Sequence, residues 1–242
     1  MSAGRLYGIG LGPGDPELLT VKAARLIKSV PVIAFFAKAG RRGNARAIVD
    51  EWIPATAQEM PLYYPVTTEI PVSDPAYNES LARFYEDSAQ NIAAELLAGR
   101  DVAILSEGDP LFYGSFMHLY IRLKDRFAVT IVPGVTGMAG CWSAAGEAMT
   151  WGDDILTVLP GTLPLEALQA RLASTDAAAI MKVGSHFAKI RTALRASGQY
   201  ERAIYVERGT MAGEKVMLLK DKLDDVAPYF AIILVSGQGR RP

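Results

Sequence analysis

The chain has 242 residues, of which 50% are hydrophobic and 21% are charged, which suits one large or two small domains with real cores. Its formal net charge of −1 excludes a global basic field for nucleic acid or an anionic membrane, so a polyanionic ligand would need a local group of Lys and Arg. The single cysteine, Cys141, excludes an intrachain disulfide, and no apolar run reaches the roughly 18 residues of a membrane span. The N-terminal residues lack a signal-peptide pattern, and the expected location is the cytoplasm.

The first half of the chain alternates strand-like and helix-like segments. The predicted strands cover residues 5–11, 31–36, 101–105 and 129–132. One helix is predicted over residues 16–29 with Asp15 as its N-cap, and a second over residues 73–98 with Gly99 at its C-terminus. Strands separated by helices predict a parallel sheet with right-handed crossovers.

The second half begins with a composition shift and continues with a further series of elements. A helix rich in small residues is predicted near 137–146. Strands follow at 155–159, 177–182, 203–206, 215–219 and 230–235, with helices near 164–173 and 186–197. The last strands include an antiparallel pair, because the connection from 203–206 to 215–219 is too short for a crossover helix. We therefore predict two α/β domains, residues 1–140 with a mainly parallel sheet and residues 150–242 with a mixed sheet, and a small-molecule site in the cleft between them.

Three loops rich in glycine and proline each follow a strand-like run. They read GIGLGPGD at 8–15, SEGDPLFYG at 106–114 and PGVT at 133–136. Ligands of parallel α/β sheets bind outside the carboxyl ends of the strands, so three such loops indicate a built site. A dinucleotide fingerprint would need G-x-G-x-x-G, and the third glycine is missing whether the motif is started at Gly8 or at Gly10.

These loops resemble the motifs of the tetrapyrrole methylase family, the class III S-adenosylmethionine (SAM) methyltransferases. The resemblance continues in IMK at 180–182 and VERGT at 206–210 and so covers nearly the whole chain. Within the family, PLYYPVTTE at 61–69, NAR at 44–46, DILTVLPG at 154–161 and MKVG at 181–184 resemble the precorrin-2 C20-methyltransferases of vitamin B12 synthesis. The resemblance implies SAM-dependent methylation of C20 of precorrin-2, giving precorrin-3A. A cobalt-bearing substrate or another corrin carbon is the alternative.

The resemblance also implies which residues bind SAM, the expected methyl donor. The matching positions are Pro13 in the first loop, Gly108, Asp109, Pro110 and Tyr113 in the second, Thr136 and Gly137 in the third, and Met181, Glu207, Gly209 and Thr210 in the second domain. Glycines let the backbone approach a ligand closely, and its amide groups can bind a carboxylate or the adenine edge.

Methyl transfer to carbon needs alignment of the reacting atoms and an acceptor for the proton that the attacked carbon loses. Glu107 or Asp109 is the predicted base, although Asp109 before a proline also fits a plain turn residue. Neither a metal nor a covalent nucleophile is required. The two histidines, His118 and His186, are interpreted as structural or solvent-facing, and Cys141 as a buried core residue.

The implied substrate is a polycarboxylate, for which Arg and Lys are natural partners. The candidates are Lys38, Arg41, Arg42 and Arg46 after the second strand, together with Lys182. An ordinary solvated basic loop explains the first four equally well. Four aromatic residues could pack on the macrocycle or in the core: Tyr63, Tyr64, Phe112 and Tyr113.

Other classes of function remain open at this point. A non-catalytic module that holds SAM or a tetrapyrrole would keep the same loops, and a redox Rossmann enzyme would bind NADH. Members of the family are typically homodimers, so a homodimer without a nucleic-acid or membrane partner is expected.

Overall fold

The computed structural model describes residues 2–66 and 74–239 and divides the chain into two compact units, Met1–Thr136 and Gly137–Pro242. We call them the first and the second unit. Residues 67–69 of the 61–69 segment lie outside the described residues, as does Ser73, where the second predicted helix was placed to begin.

The first unit is built on a parallel sheet. Its strands are β1 (Leu6–Gly10), β2 (Val32–Lys38), β3 (Gln58–Tyr64), β4 (Val102–Ser106) and β5 (Val129–Val132), in the order β3-β2-β4-β1-β5. The neighbouring strands in this order pair in parallel. The helices are α1 (Val21–Ser29), α2 (Asn44–Ile48), α3 (Pro75–Leu97) and α4 (Phe116–Leu123). This arrangement confirms the predicted parallel sheet.

Both faces of this sheet are covered. On one face Val102 and Ile104 pack with α3 and α4, and on the other Ala103 and Leu105 pack with α1. Alternate residues of β4 therefore enter different cores, and all of its residues are buried. A strand buried on both sides reads as a continuous apolar run, which is why the sequence predicts it well.

The first predicted helix was wrong at its N-terminus. Asp15 caps a separate 3-10 turn, Pro16–Leu18, and the side chain of Thr20 caps α1 by accepting a hydrogen bond from the Ala23 N–H at 3.1 Å. Because Thr20 is extended, with φ −69° and ψ 147°, it breaks the helical run that the apolar spacing suggests.

The second unit contains a mixed sheet, as predicted. Its strands are β6 (Leu156–Pro160), β7 (Ala177–Met181), β8 (Ala203–Glu207), β9 (Lys215–Leu218) and β10 (Ala231–Val235), in the order β6-β7-β10-β8-β9. Strands β6 and β7 are parallel, whereas β10 pairs antiparallel with β7 and β8, and β9 with β8. Helices α6 (Leu165–Ala173) and α7 (Phe187–Ala196) cover one face, and α5 (Gly137–Ala145) covers the other. Among the helices of the described residues, none is long and apolar enough to cross a membrane.

Candidate active site

The three glycine loops meet at the carboxyl edge of the first sheet. Strand β1 lies between β4 and β5, so the loops that follow these strands are neighbours. The Leu11 N–H donates to the Ser106 carbonyl at 2.9 Å, and Gly108 and Gly12 exchange two backbone hydrogen bonds, at 2.8 and 3.3 Å. The first and second loops are therefore joined through their backbones.

Glycine is required where the loops touch. A Cβ on Gly134 would lie 2.1 Å from the Gly108 carbonyl oxygen, and one on Gly10 would lie 2.5 Å from the Gly134 nitrogen. Gly108 also adopts φ +64°, in the left-handed region that favours glycine. A side chain at Gly10 or Gly134 would push the loops apart.

Asp109 connects the second loop to the third. One carboxylate oxygen accepts a hydrogen bond from the Leu111 N–H at 2.9 Å, and the other accepts from the Gly134 N–H at 3.1 Å. The first bond is that of a turn residue, and the second bridges to a different strand end. Both oxygens are thus engaged by backbone donors, an arrangement that fixes the side chain.

Glu107 has a different environment, two residues earlier. Burial raises the pKa of its carboxyl from 4.5 to about 7, although hydrogen bonds from the Ala45 backbone N–H and the Asn44 side chain act to lower it. A carboxyl group with a pKa near neutrality can exchange a proton at working pH. Glu107 thus has a carboxyl group whose pKa is raised toward neutrality.

Backbone strain marks the ends of several strands. Within residues 2–66 and 74–239, four residues other than glycine have positive φ: Tyr113 (54°), Lys182 (55°), Arg208 (54°) and Thr210 (67°). Such conformations are held at a free-energy cost and cluster at functional sites. The sequence analysis named three of them as candidate site residues, and the fourth, Arg208, lies inside the VERGT motif that it quoted.

In the second unit the predicted residues follow β7 and β8. Met181 ends β7, and its carbonyl accepts a hydrogen bond from the Gly161 N–H at 2.6 Å. Glu207 ends β8 and accepts hydrogen bonds from the Tyr205 hydroxyl at 2.9 Å and the Lys215 Nζ at 3.2 Å. Burial acts to raise the pKa of Glu207, but these bonds outweigh it and leave the pKa lowered.

Gly209 and Cys141 are in close contact. A Cβ on Gly209 would lie 2.9 Å from the Cys141 Sγ, so α5 packs directly on the loop after β8. Burial raises the pKa of the Cys141 thiol to about 11. Cys141 is therefore a core residue, as the sequence indicated, and stays a thiol at neutral pH.

Three buried hydroxyl groups have no hydrogen-bond partner among the described residues. Two of them belong to the strand ends discussed here, the Ser106 Oγ at the end of β4 and the Thr210 Oγ1 just after β8, and the third is the Ser236 Oγ after β10. The backbone of Thr210 is held, because its N–H donates to the Glu214 carboxylate at 2.6 Å. An unpaired buried hydroxyl is costly unless a ligand satisfies it.

Part of the predicted basic cluster is paired with acids. Arg46 is 5% exposed and donates to both Glu59 oxygens, at 2.9 and 2.6 Å, and to Asp50 at 3.0 Å. Arg42 donates to Asp50 at 2.7 Å. Lys38 and Arg41 are exposed, as is Lys182 in the second unit.

The four predicted aromatic residues lie in two kinds of environment. Tyr64 is half-buried against the core: its ring stacks on Phe36 at 5.5 Å, and its hydroxyl bonds to the Ser115 Oγ. Tyr63 is 50% and Tyr113 46% exposed. Phe112 packs edge-on against Tyr113, at 4.9 Å between ring centres.

Comparison with known proteins identifies the family. The model of the tetrapyrrole (corrin/porphyrin) methylases matches residues 5–227. The chain is 56% identical over 242 residues to a precorrin-2 C(20)-methyltransferase of Sinorhizobium sp, covering 100% of this chain and 99% of that protein. It is 29% identical over 240 residues to the cobalt-precorrin-2 C(20)-methyltransferase of Salmonella typhimurium, covering 97% of each.

The fold agrees with this relationship. The uroporphyrin-III C-methyl transferase of Thermus thermophilus, solved in complex with S-adenosyl homocysteine, matches with a TM-score of 0.66 and 24% identity, covering 96% of this chain and 97% of that one. The sequence motifs, the family match along most of the chain and the two-sheet architecture agree, and the chain belongs to the tetrapyrrole (corrin/porphyrin) methylases.

Proposed function

We propose that the protein transfers a methyl group from SAM to C20 of precorrin-2, giving precorrin-3A in cobalamin synthesis. The observation that carries the proposal is the 56% identity, over the full length of both chains, to a precorrin-2 C(20)-methyltransferase. The relative named for the cobalt-bearing substrate is only 29% identical over a similar length. This difference favours the metal-free substrate.

The residues at the strand ends fit SAM as the methyl donor. The Ser106 and Thr210 hydroxyls are buried and unpaired, so a polar ligand would satisfy them. The proposed SAM-binding residues are those matched to the family motifs: Pro13, Gly108, Asp109, Pro110, Tyr113, Thr136, Gly137, Met181, Glu207, Gly209 and Thr210. When bound, SAM supplies a methyl group already activated by its sulfonium.

The chain itself supplies orientation and a proton acceptor. The glycine loops and Asp109 hold the backbone of the strand ends in one geometry, and pre-organisation of this kind can contribute several kcal/mol. We assign Glu107 as the base that takes the C20 proton on its carboxylate, because its pKa of about 7 leaves a large ionised fraction at neutral pH. Asp109, with both oxygens engaged, is the structural member of the pair.

The substrate is a polycarboxylate and would meet exposed cations. We propose Lys38, Arg41 and Lys182 for this role, because they are exposed. Arg42 and Arg46, which the sequence analysis also proposed, would first have to leave their acidic partners. The net charge of −1 agrees with a small-molecule partner rather than nucleic acid. We further propose a cytoplasmic homodimer, which light scattering of the purified protein tests.

The direct test is incubation of the protein with methyl-labelled SAM and anaerobically prepared precorrin-2, followed by mass spectrometry and carbon-13 NMR. We expect one added methyl group with the label on a meso carbon. Cobalt-precorrin-2 in a parallel reaction should react more slowly. Transfer to the cobalt complex alone, or a label on another carbon, would contradict the assignment, and binding of SAM without turnover on any tetrapyrrole would indicate a binding module.

A further inference from the structure

Arg46 is the most thoroughly paired charged side chain near the site. It lies on α2, and its guanidinium makes two hydrogen bonds to Glu59, which belongs to β3. A third bond goes to Asp50, just beyond the C-terminus of α2. The side chain is 6% exposed, whereas Glu59 and Asp50 are 41% and 45% exposed. Replacing Arg46 would thus remove the hydrogen bonds that hold α2 against the neighbouring strand β3.

The residues just before Arg46 contact the proposed base. Asn44 and Ala45 are the first two residues of α2, and both donate hydrogen bonds to the Glu107 carboxylate. A helix of five residues has little stability of its own, because helix formation needs several turns to offset the cost of nucleation. Its position depends on tertiary contacts.

We infer that Arg46 is a positioning residue, which pins α2 to β3 so that Asn44 and Ala45 hold the Glu107 carboxylate in place. This role replaces the substrate contact that the sequence suggested for Arg46. The importance of Glu107 as a base rests on the proposed function, whereas its hydrogen bonding and titration do not.

The hydrogen bonds from α2 to Glu107 determine in which direction the pKa of Glu107 changes when Arg46 is replaced. Donors to a carboxylate stabilise its ionised form and lower its pKa. Loss of Asn44 and Ala45 as donors would therefore raise the pKa of Glu107 above its value of about 7 and leave less base at neutral pH.

The charged groups around Glu107 are engaged elsewhere. Arg42 pairs with Asp50, and Arg46 pairs with both Asp50 and Glu59. Asp109, on the same loop, accepts two backbone N–H groups, and Lys38 ends the neighbouring strand β2. Burial and the α2 donors thus determine the titration of Glu107.

The test is to titrate Glu107 directly, by NMR of protein labelled with carbon-13 at the glutamate carboxyl, with Glu107→Gln identifying the signal. Arg46→Met removes the hydrogen bonds that hold α2 to β3, and Asn44→Ala removes one hydrogen-bond donor to Glu107. Arg100→Met is the control, because Arg100 pairs with Glu95 on α3. We expect the midpoint to rise by roughly half a pH unit or more in the first two variants and to stay unchanged in the control. The pH midpoint of single-turnover methylation should rise by the same amount.

Several results would overturn the inference. A Glu107 midpoint that stays within about 0.2 unit in folded Arg46→Met would do so. So would an approximately tenfold increase in KM for the tetrapyrrole with an unchanged midpoint, which would make Arg46 a substrate ligand. If Arg46→Met does not fold, Glu59→Gln decides, because it removes the bidentate partner and leaves Asp50: a raised midpoint supports the inference and an unchanged one refutes it. A shifted titration in a protein that methylates no tetrapyrrole would keep the inference and reject the proposed function.

Discussion

Two carboxylates of one loop, Glu107 and Asp109, have opposite properties. Both oxygens of Asp109 accept backbone N–H groups, whereas Glu107 is half-buried, accepts from one backbone and one side-chain donor, and has its pKa raised by burial to about 7. A buried carboxylate that is incompletely compensated destabilises the folded state when it ionises. Such a residue is tolerated where it serves a reaction, which is the basis of the first two predictions.

Glu107→Gln should slow methyl transfer and stabilise the protein at alkaline pH. Because the folded pKa of about 7 lies above the ordinary 4.5, the folded state holds its proton more tightly, and wild-type stability falls as pH rises through this window. Above pH 7 the wild-type protein has lost about 3 kcal/mol of folding stability in this way. The Glu107→Gln variant does not lose it, because the Gln side chain does not ionise. We expect a rate decrease of about 100-fold or more.

Urea denaturation of both proteins at pH 5 and pH 8 checks this expectation. The stability difference between Glu107→Gln and wild type should become more favourable to the variant at pH 8. In wild type, the rate should rise as pH rises through about 7, since the base must be ionised. A stability difference that does not depend on pH would show that Glu107 titrates normally.

Asp109→Ala should act through structure. It leaves the Leu111 and Gly134 N–H groups without their acceptor, which destabilises the protein by about 1–3 kcal/mol. SAM affinity should fall while the pH midpoint of the remaining activity stays near 7. Asp125→Ala, at an exposed position after α4, is the control and should change stability by less than about 0.5 kcal/mol. A moved pH midpoint with full stability would make Asp109 the base.

At the scale of elements, the sequence predicts the strands and helices whose positions are determined by a local residue pattern. The strands that precede glycine loops are apolar and sharply bounded, and they were placed within a few residues. Strand β3 was missed because Pro61 lies in its middle; the proline is accommodated because β3 is an edge strand. Helix α2 was missed because it has five residues and is held by Arg46, whose partner Glu59 lies on β3, a contact that no local pattern reveals.

The contact between the glycine loops gives the third prediction. In Gly134→Ala the new Cβ would overlap the Gly108 carbonyl oxygen, at 2.1 Å. We expect a destabilisation of about 1–3 kcal/mol and a loss of SAM affinity of at least about tenfold, because the loops must separate. Calorimetry with SAM and thermal unfolding measure the two effects.

The control for this change is Gly198→Ala. Gly198 has φ +71°, and a Cβ there would meet nothing within 4 Å, so the substitution tests backbone strain without a clash. It should destabilise the protein by about 1 kcal/mol and leave SAM affinity unchanged. Equal effects of the two substitutions on SAM affinity would show that the loop contact is unimportant for binding.

At the scale of the whole molecule, the candidate site residues belong to two units with separate cores. The candidates in the first unit are Glu107, Asp109 and the glycine loops, and those in the second lie at the strand ends around Lys182 and Thr210. The local sequence pattern could indicate the candidate residues of each unit, because they follow apolar strands. It could not reveal that the Ser106 and Thr210 hydroxyls are left unpaired, since pairing depends on the three-dimensional surroundings.

SAM binding should therefore protect the backbone in both units. Hydrogen exchange with and without SAM should show slower exchange near residues 106–114 and 133–136 in the first unit and near 182 and 208–210 in the second. At a SAM concentration of 100 times Kd, the protein should gain about 2.7 kcal/mol of stability. Protection confined to one unit would contradict a SAM site that uses residues from both.

Thr210→Val tests the contribution of the second unit most sharply. The hydroxyl that it removes is buried and has no partner among the described residues, so the free protein should be as stable as wild type or more stable. SAM affinity should fall about threefold to tenfold, because the bound ligand loses one hydrogen bond. Thr192→Val is the matched control: Thr192 is exposed and its hydroxyl donates to the Ala188 carbonyl at 3.0 Å within α7, and SAM affinity should not change. Lower stability of Thr210→Val with unaltered SAM affinity would mean that the hydroxyl serves the fold and leaves SAM binding to other residues.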